Sequence, residues 1–489
     1  RVMRQLLVES VLLAFLGGAL GVLLAVWGVD AIKALIPEAM RFPRLDEVRI
    51  DAAVLGFTIG VSLLTGVLFG LLPGWQASKP DLNESLKETG RSSTASSRLQ
   101  RTRGLLVVIE VALSLVLLVG AGLLIKSLSQ LQRTQPGYNT KNLVTFSVGV
   151  PKKYPPLSEG SAVFYQQLQE RIGNITGVAG AATTSGAPLT GFILSFPFTV
   201  EGRTPNSEDN KQATYSSVSP NYFDVMEIKL RAGRRFNERD VKGTPKVAVI
   251  SETMVRRFFP GQDPLGKRLV IDYLNVPTTL EVVGVAADIK QSKLEETPDV
   301  EIYVSANQLP WFSTALVVRT VADPSGVTNA LQKAVWSLNP DQPLSFKTMD
   351  QLLSESVAQS RLYTLLLGVF SMVALVLAGV GIYGVISYSV AQRTHEIGVR
   401  LALGAQPQDI LRLVIGRGLA LTLAGVLLGL VVSVAMTRVL SSLLYEVSAT
   451  DPTVFAAIAL LLVAVALVAC YIPARRALRV DPMLALRYE

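Results

Sequence analysis

Six apolar runs dictate what this chain can fold into: residues 6–27, 54–75, 105–125, 362–386, 418–439 and 454–472. Each approaches or exceeds the roughly 20 residues that a helix needs to cross a hydrocarbon core. Their polar flanks argue against buried helices of a large soluble protein. Only 17% of the chain is charged, against about 25% in ordinary soluble domains, and the deficit is concentrated in the runs. The expected fold is an α-helical membrane protein with six predicted transmembrane helices and a mixed α+β extracytoplasmic domain. Cys470 is the single cysteine and His395 the single histidine. They leave no intrachain disulfide, no Cys- or His-rich metal site and no sign of a Ser-His-Asp triad. No cofactor or metal is expected.

Charge orients the runs. Residues 76–103 carry Lys79, Lys87, Arg91, Arg98, Arg101 and Arg103, and the tail carries Arg475, Arg476, Arg479 and Arg487. Residues 387–417, a polar elbow between the fourth and fifth runs, carry Arg393, Arg400, Arg412 and Arg417. If six helices alternate, all three segments share one side, and the positive-inside rule makes it the cytoplasm. Residues 441–451 contain no Lys or Arg, and in 28–50 four basic residues are balanced by four acidic ones. Residues 127–360 then lie outside the membrane, on the side away from the cytoplasm. The net charge of +8 is accounted for by this loop bias. No basic face with interleaved aromatics points to nucleic acid.

A repeat organises the membrane part. At an offset of 400, Asp51 falls on Asp451, Val54 on Val454, Pro73 on Pro473, Ala77 on Ala477, Asp81 on Asp481 and Leu86 on Leu486. At an offset of 408, Arg4 falls on Arg412, Gly17 on Gly425 and Gly21 on Gly429. The Ser-rich stretch 90–97 reads as a linker between the halves. The expected domains are 1–89 (the last two helices of a first unit), 90–103 (cytoplasmic linker), 104–126 (a membrane helix), 127–360 (the outer domain) and 361–489 (three membrane helices). The earlier helices and outer domain of the first unit are expected to precede Arg1. Gly17/Gly21 and Gly425/Gly429 are GxxxG spacings, which let helix backbones approach closely. The repeated pair is the better candidate for a helix contact than Gly56/Gly60 or Gly66/Gly70.

In the outer segment, strands are expected at 142–150, 246–251, 279–285, 301–305 and 314–321, and helices at 162–172, 252–259 and 327–338. Residues 261–267 (GQDPLGK) satisfy the phosphate-loop pattern, but Arg268 stands where Ser or Thr should hold magnesium, and the string follows a helix rather than a strand. It reads as a turn. His395-Glu396 lacks a second histidine four residues on, where Val399 stands, so zinc is rejected. No acid/base pair or activated nucleophile assembles. Glu9 and Glu110, the only carboxylates in the runs, lie near the cytoplasmic ends, which weighs against ion-coupled transport.

Three strings carry a family resemblance: RTHEIGVRLALGA (393–405), IPARRALRVDPMLALRYE (472–489) and 231–270, RAGRRFNERDVKGTPKVAVISETMVRRFFPGQDPLGKRLV. With the helix order, they resemble the FtsX-like permease unit of MacB-type ABC transporters, and 231–270 resembles the MacB periplasmic core domain. Two units in one chain resemble duplicated permeases. The resemblance implies a permease subunit with no ATPase or other catalytic activity of its own. It couples a separate ABC ATPase subunit to the periplasmic domain for export or efflux, that is, mechanotransmission. It implies an ATPase-facing elbow containing Arg393, Glu396, Gly398, Arg400 and Gly404. It also implies dimerisation or intrachain pairing of units, and work with a periplasmic adaptor or outer-membrane channel. The alternative is a non-transporting, FtsX-like signal transmitter that regulates an envelope enzyme.

Overall fold

A computed structural model describes residues 2–35, 49–77, 94–155, 157–202, 212–312, 314–404 and 406–478. The repeat positions Asp81, Leu86, Asp481 and Leu486 lie outside the described residues, as does the first part of the Ser-rich linker.

Long apolar helices form where the hydropathy demands them. They are α1 (Val2–Leu35), α2 (Ala52–Ala77) and α3 (Thr94–Arg133). The outer segment contributes α4 (Glu159–Gly173), α5 (Glu252–Phe258), α6 (Thr328–Trp336) and α7 (Met349–Ser356). The chain then returns through α8 (Ala358–Gln392), α9 (Thr394–Ala402), α10 (Pro407–Leu440) and α11 (Pro452–Ala477). Among the described residues, five helices are long and apolar enough to cross a membrane, and α2 adds an apolar stretch described over Ala52–Val67. The chain is thus a membrane protein with an outer α/β domain. The Ser-rich stretch differs from expectation at its end: α3 is already helical at Thr94.

The described residues divide into two compact units. One combines Arg1–Gly120, Gly368–Arg438 and Pro452–Glu489; the other combines Ala121–Leu367 and Val439–Asp451.

The second unit holds one 11-stranded sheet. Its strands are β1 (Leu143–Val148), β2 (Val178–Thr184), β3 (Ser195–Val200), β4 (Gln212–Val218), β5 (Leu230–Gly233), β6 (Val247–Ser251), β7 (Arg268–Tyr273), β8 (Val276–Ala286), β9 (Glu301–Ser305), β10 (Thr314–Thr320) and β11 (Lys347–Thr348). In the first lobe β1 pairs antiparallel with β10 and β11, and β10 with β2. Helices α4 and α6 cover its face through Phe164, Leu168, Leu331 and Val335. In the second lobe each of β3, β4, β6, β7, β8 and β9 bonds to two of the others, so the six close into a ring. Alternate residues of those strands, such as Ala248/Ile250, Leu280/Val282 and Ile302/Val304, share one core. Their neighbours Val247, Val249 and Tyr303 belong to another. That is the period of two expected when both faces of a strand are buried.

Sequence-read strands and helices appear with ends shifted by a few residues. Strands β2 to β5 and β11, and the cap-defined helix α7, are not among the elements read from the sequence. Thr348 and Gln351 form a reciprocal capping box at the start of α7, which fixes its first turn. The GQDPLGK string is a turn between α5 and β7: Gly261 and Gly266 have φ of 70° and 74°, and the Gly266 amide donates to Val282 O at 2.8 Å.

Candidate functional site

Helix α8 runs almost unbroken into α9. The Ile397 amide donates to Arg393 O at 2.9 Å, and the Thr394 hydroxyl donates to Ala391 O at 2.9 Å. Helix α9 then stops at Gly404, whose φ of 94° is the left-handed conformation that favours glycine after a helix. The next helix begins with Pro407 in its first position, where its missing N–H costs nothing. Asp409 Oδ2 accepts from the Gln406 amide at 3.2 Å, closing the N-terminal turn. The elbow is therefore a one-helix bracket with defined ends.

The faces of α9 differ. Ile397 and Gly398 are buried, while Glu396 and Arg400 are exposed. Ile397 joins Ile386, Val390, Leu413 and Val414 around a small cavity of about 30 Å³, with Arg393 and Arg417 at its margin. On the open face Arg400 Nη2 lies 2.7 Å from Glu396 Oε1, and Arg393 Nε lies 4.0 Å from Glu396 Oε2. Exposed pairs of this kind add only about 0–1 kcal/mol, so they contribute little to the stability of the bracket. The structure thus brings Arg393, Glu396 and Arg400 together, sets Gly398 on the inner face and ends the bracket at Gly404. The side chain of His395 lies outside the described residues.

The glycine pairs behave differently. A Cβ built on Gly425 would lie 2.8 Å from Val111 Cβ and 2.9 Å from Val108 O; one on Gly429 would lie 3.0 Å from Ala112 O. Both glycines therefore seat α10 against the backbone of α3. Gly17 and Gly21 have nothing within 4 Å of such an atom, and the α1–α2 contact instead uses Gly18 beside Ser62 and Gly66 beside Ala14.

Sequence reasoning missed a polar seam between α3 and α8. Ser114 Oγ donates to Ala374 O at 3.0 Å, Ser371 Oγ donates to Leu117 O at 2.8 Å, and the Glu110 carboxylate rests where a Cβ on Gly381 would be. Glu110 and a cluster of glycines in α8 were the available signals. The seam binds two helices that both continue into the outer unit. That unit also holds the hairpin between α10 and α11. Ser127 Oγ accepts from the Tyr445 amide at 2.8 Å, Lys126 pairs with Asp451, and Lys290 Nζ stands 5.4 Å over the Tyr445 ring.

Fold and bracket together define a membrane-embedded helical unit tied to an extracytoplasmic α/β domain. Residues 105–334 match the model for the MacB-like periplasmic core domain, and residues 368–482 match the FtsX-like permease C-terminal domain. The chain thus combines a MacB-like periplasmic core domain with an FtsX-like permease domain. It is 29% identical over 314 residues to a probable syringafactin export ATP-binding/permease protein of Pseudomonas syringae, covering 60% of this chain and 47% of that one. It is also 29% identical over 286 residues to the macrolide export ATP-binding/permease protein MacB of Burkholderia thailandensis, covering 56% and 43%. The chain thus spans less than half the length of these relatives. The periplasmic region of MacB from Actinobacillus actinomycetemcomitans aligns with a TM-score of 0.32 at 16% identity, covering 46% of this chain and 95% of that one.

Proposed function

We propose that this chain is the permease subunit that transmits ATPase movement across the bacterial inner membrane to its periplasmic domain, driving export. On this reading α2 is a sixth span, the bracket lies in the cytoplasm and residues 127–360 lie in the periplasm. The observation that carries the reading is helix continuity. Helix α3 has 40 residues, about 60 Å at 1.5 Å per residue, twice the roughly 30 Å hydrocarbon core. Helix α8 runs from the outer unit to the bracket without a break. Helices of this length pass a displacement at one end to the other. The latch of Tyr445 and Asp451 supplies a third tie, from α10 and α11.

In this reading ATP hydrolysis comes from a partner ABC ATPase that meets the Arg393–Glu396–Arg400 face, and the chain has no catalytic role. Pairing of two units or two copies, and an adaptor or outer-membrane channel, complete the exporter. The relatives, named for export of a macrolide and of syringafactin, support a hydrophobic or peptide-like cargo.

Co-purification with the ABC ATPase subunit tests the bracket. Glu396→Ala with Arg400→Ala is expected to weaken association about tenfold, as loss of charged interface anchors does, and to lower export. Undiminished association would remove the bracket from the mechanism. Reduced association with unchanged export, and a bound envelope hydrolase, would favour signalling. Topology is checked separately in a Cys470→Ala background. Gln408→Cys is expected to be labelled only from the cytoplasm and Ser325→Cys only from the periplasm; the reverse pattern would invert the scheme.

A further inference from the structure

An open cleft of about 580 Å³ lies wholly within the outer unit, at the foot of α3 and the start of α8. Small-molecule sites run from roughly 300 to 1,000 Å³. Part of its wall is apolar: Leu124 and Leu128 of α3, Leu189 and the ring of Tyr363. The rest is polar, and its charges are unequally matched. Glu355 pairs with Lys347 at 2.8 Å, and Lys293 lies 3.8 Å from Glu296. Glu295 accepts a hydrogen bond from Ser360 Oγ and, among the described residues, joins no ion pair. Ser356 also lines the cleft, and its buried hydroxyl has no hydrogen-bond partner.

A carboxylate without a cation, an unused hydroxyl and an apolar wall within one cleft have a definite complement. We propose that the cleft binds an amine-bearing amphiphile. The ammonium group sits on Glu295, a neighbouring polar group meets Ser356, and the hydrocarbon body lies on Leu124, Leu128 and Leu189. An ammonium–carboxylate hydrogen bond is among the stronger polar contacts, and the leucines contribute through apolar area removed from water. The proposal rests on the export reading for its biological sense, because it names the class of molecule handled. Binding itself needs no ATPase, so the two can fail separately.

The test uses the full chain in nanodiscs, with rhodamine 6G as a cationic amphiphilic probe and empty nanodiscs as the baseline. Fluorescence anisotropy is expected to show saturable binding. Glu295→Gln should weaken it about tenfold, the scale of a lost charge-assisted hydrogen bond. Ser356→Trp and Thr190→Trp fill the cleft from different walls and should each abolish it. Thr190 is on an exposed turn, so agreement of the two separates filling from misfolding. The anionic 1-anilinonaphthalene-8-sulfonate should not displace the probe. No saturable binding, or equal affinity in wild type, Glu295→Gln and Thr190→Trp, would overturn the proposal. Equal displacement by the anion would overturn its charge preference. Binding that survives Glu396→Ala with Arg400→Ala, when ATPase association is lost, would leave this site standing alone.

Discussion

Gly425→Leu and Gly429→Leu are each expected to destabilise the membrane unit by about 1–3 kcal/mol, the range for overpacking a close contact. Gly17→Leu and Gly21→Leu are expected to leave it unchanged. The contrast is sharp because the four residues are related by one repeat and look equivalent in sequence. At Gly425 and Gly429 the nearest atoms include carbonyl oxygens of α3, Val108 O at 2.9 Å and Ala112 O at 3.0 Å. A backbone cannot rotate aside as a side chain can, so a leucine there must push the helices apart. Separation would also strain the polar seam, because Ser114 reaches across from the same helix to Ala374 O. Thermal unfolding in detergent should show midpoints lowered by several degrees for the first pair. Equal midpoints for all four variants would show that the α3–α10 seam is not a close contact.

The same glycines show what was legible in the sequence. Spacing identified a surface capable of close approach, but spacing is local, and the partner helix is chosen by tertiary packing. That is why Gly18 and Gly66, not Gly17 and Gly21, meet a neighbour in the first helix pair. The bracket was legible because its signals are also local: basic residues and Gly404. In the outer domain, β6 and β9 are buried along their whole length and read as near-continuous apolar runs. Strands β2 (VAGAATT) and β4 (QATYSSV) lack that signal because their small and hydroxylated residues are buried by neighbours distant in sequence. Ser216 of β4 is there to meet Glu301, 85 residues away. The cleft around Glu295 was invisible for the same reason: its walls come from segments whose proximity only the fold creates.

Glu301 should make the outer domain less stable as pH rises. Its carboxyl is 3% exposed, accepts from Ser216 Oγ and Tyr303 OH at 2.8 Å each, and has the carboxylates of Asp299 and Asp288 nearby. Burial is the main cause that pushes it up from 4.5 to about 7; the two hydroxyl donors pull against this, and the neighbouring carboxylates add to it. The folded state therefore holds the proton more tightly than the unfolded chain does. Its stabilising effect is full below about pH 4.5, is lost progressively as pH rises from there to about 7, and changes little beyond. At about 1.4 kcal/mol per pH unit, that interval corresponds to about 3 kcal/mol. Asp299, also raised by burial, acts with the same sign, whereas Asp240, held low by hydrogen bonds from Arg234 and the Asn237 amide, acts only below the window. Glu301→Gln cannot ionise; its carbonyl oxygen can accept from one of the two hydroxyls, and its NH2 can donate to the other. It should flatten the curve between pH 5 and 8 and leave the variant more stable than wild type at pH 8. Denaturant unfolding followed by the fluorescence of Trp311 and Trp336, both in the outer domain, measures this in the intact chain. Parallel pH curves for the two proteins would show that Glu301 carries no proton that folding must hold.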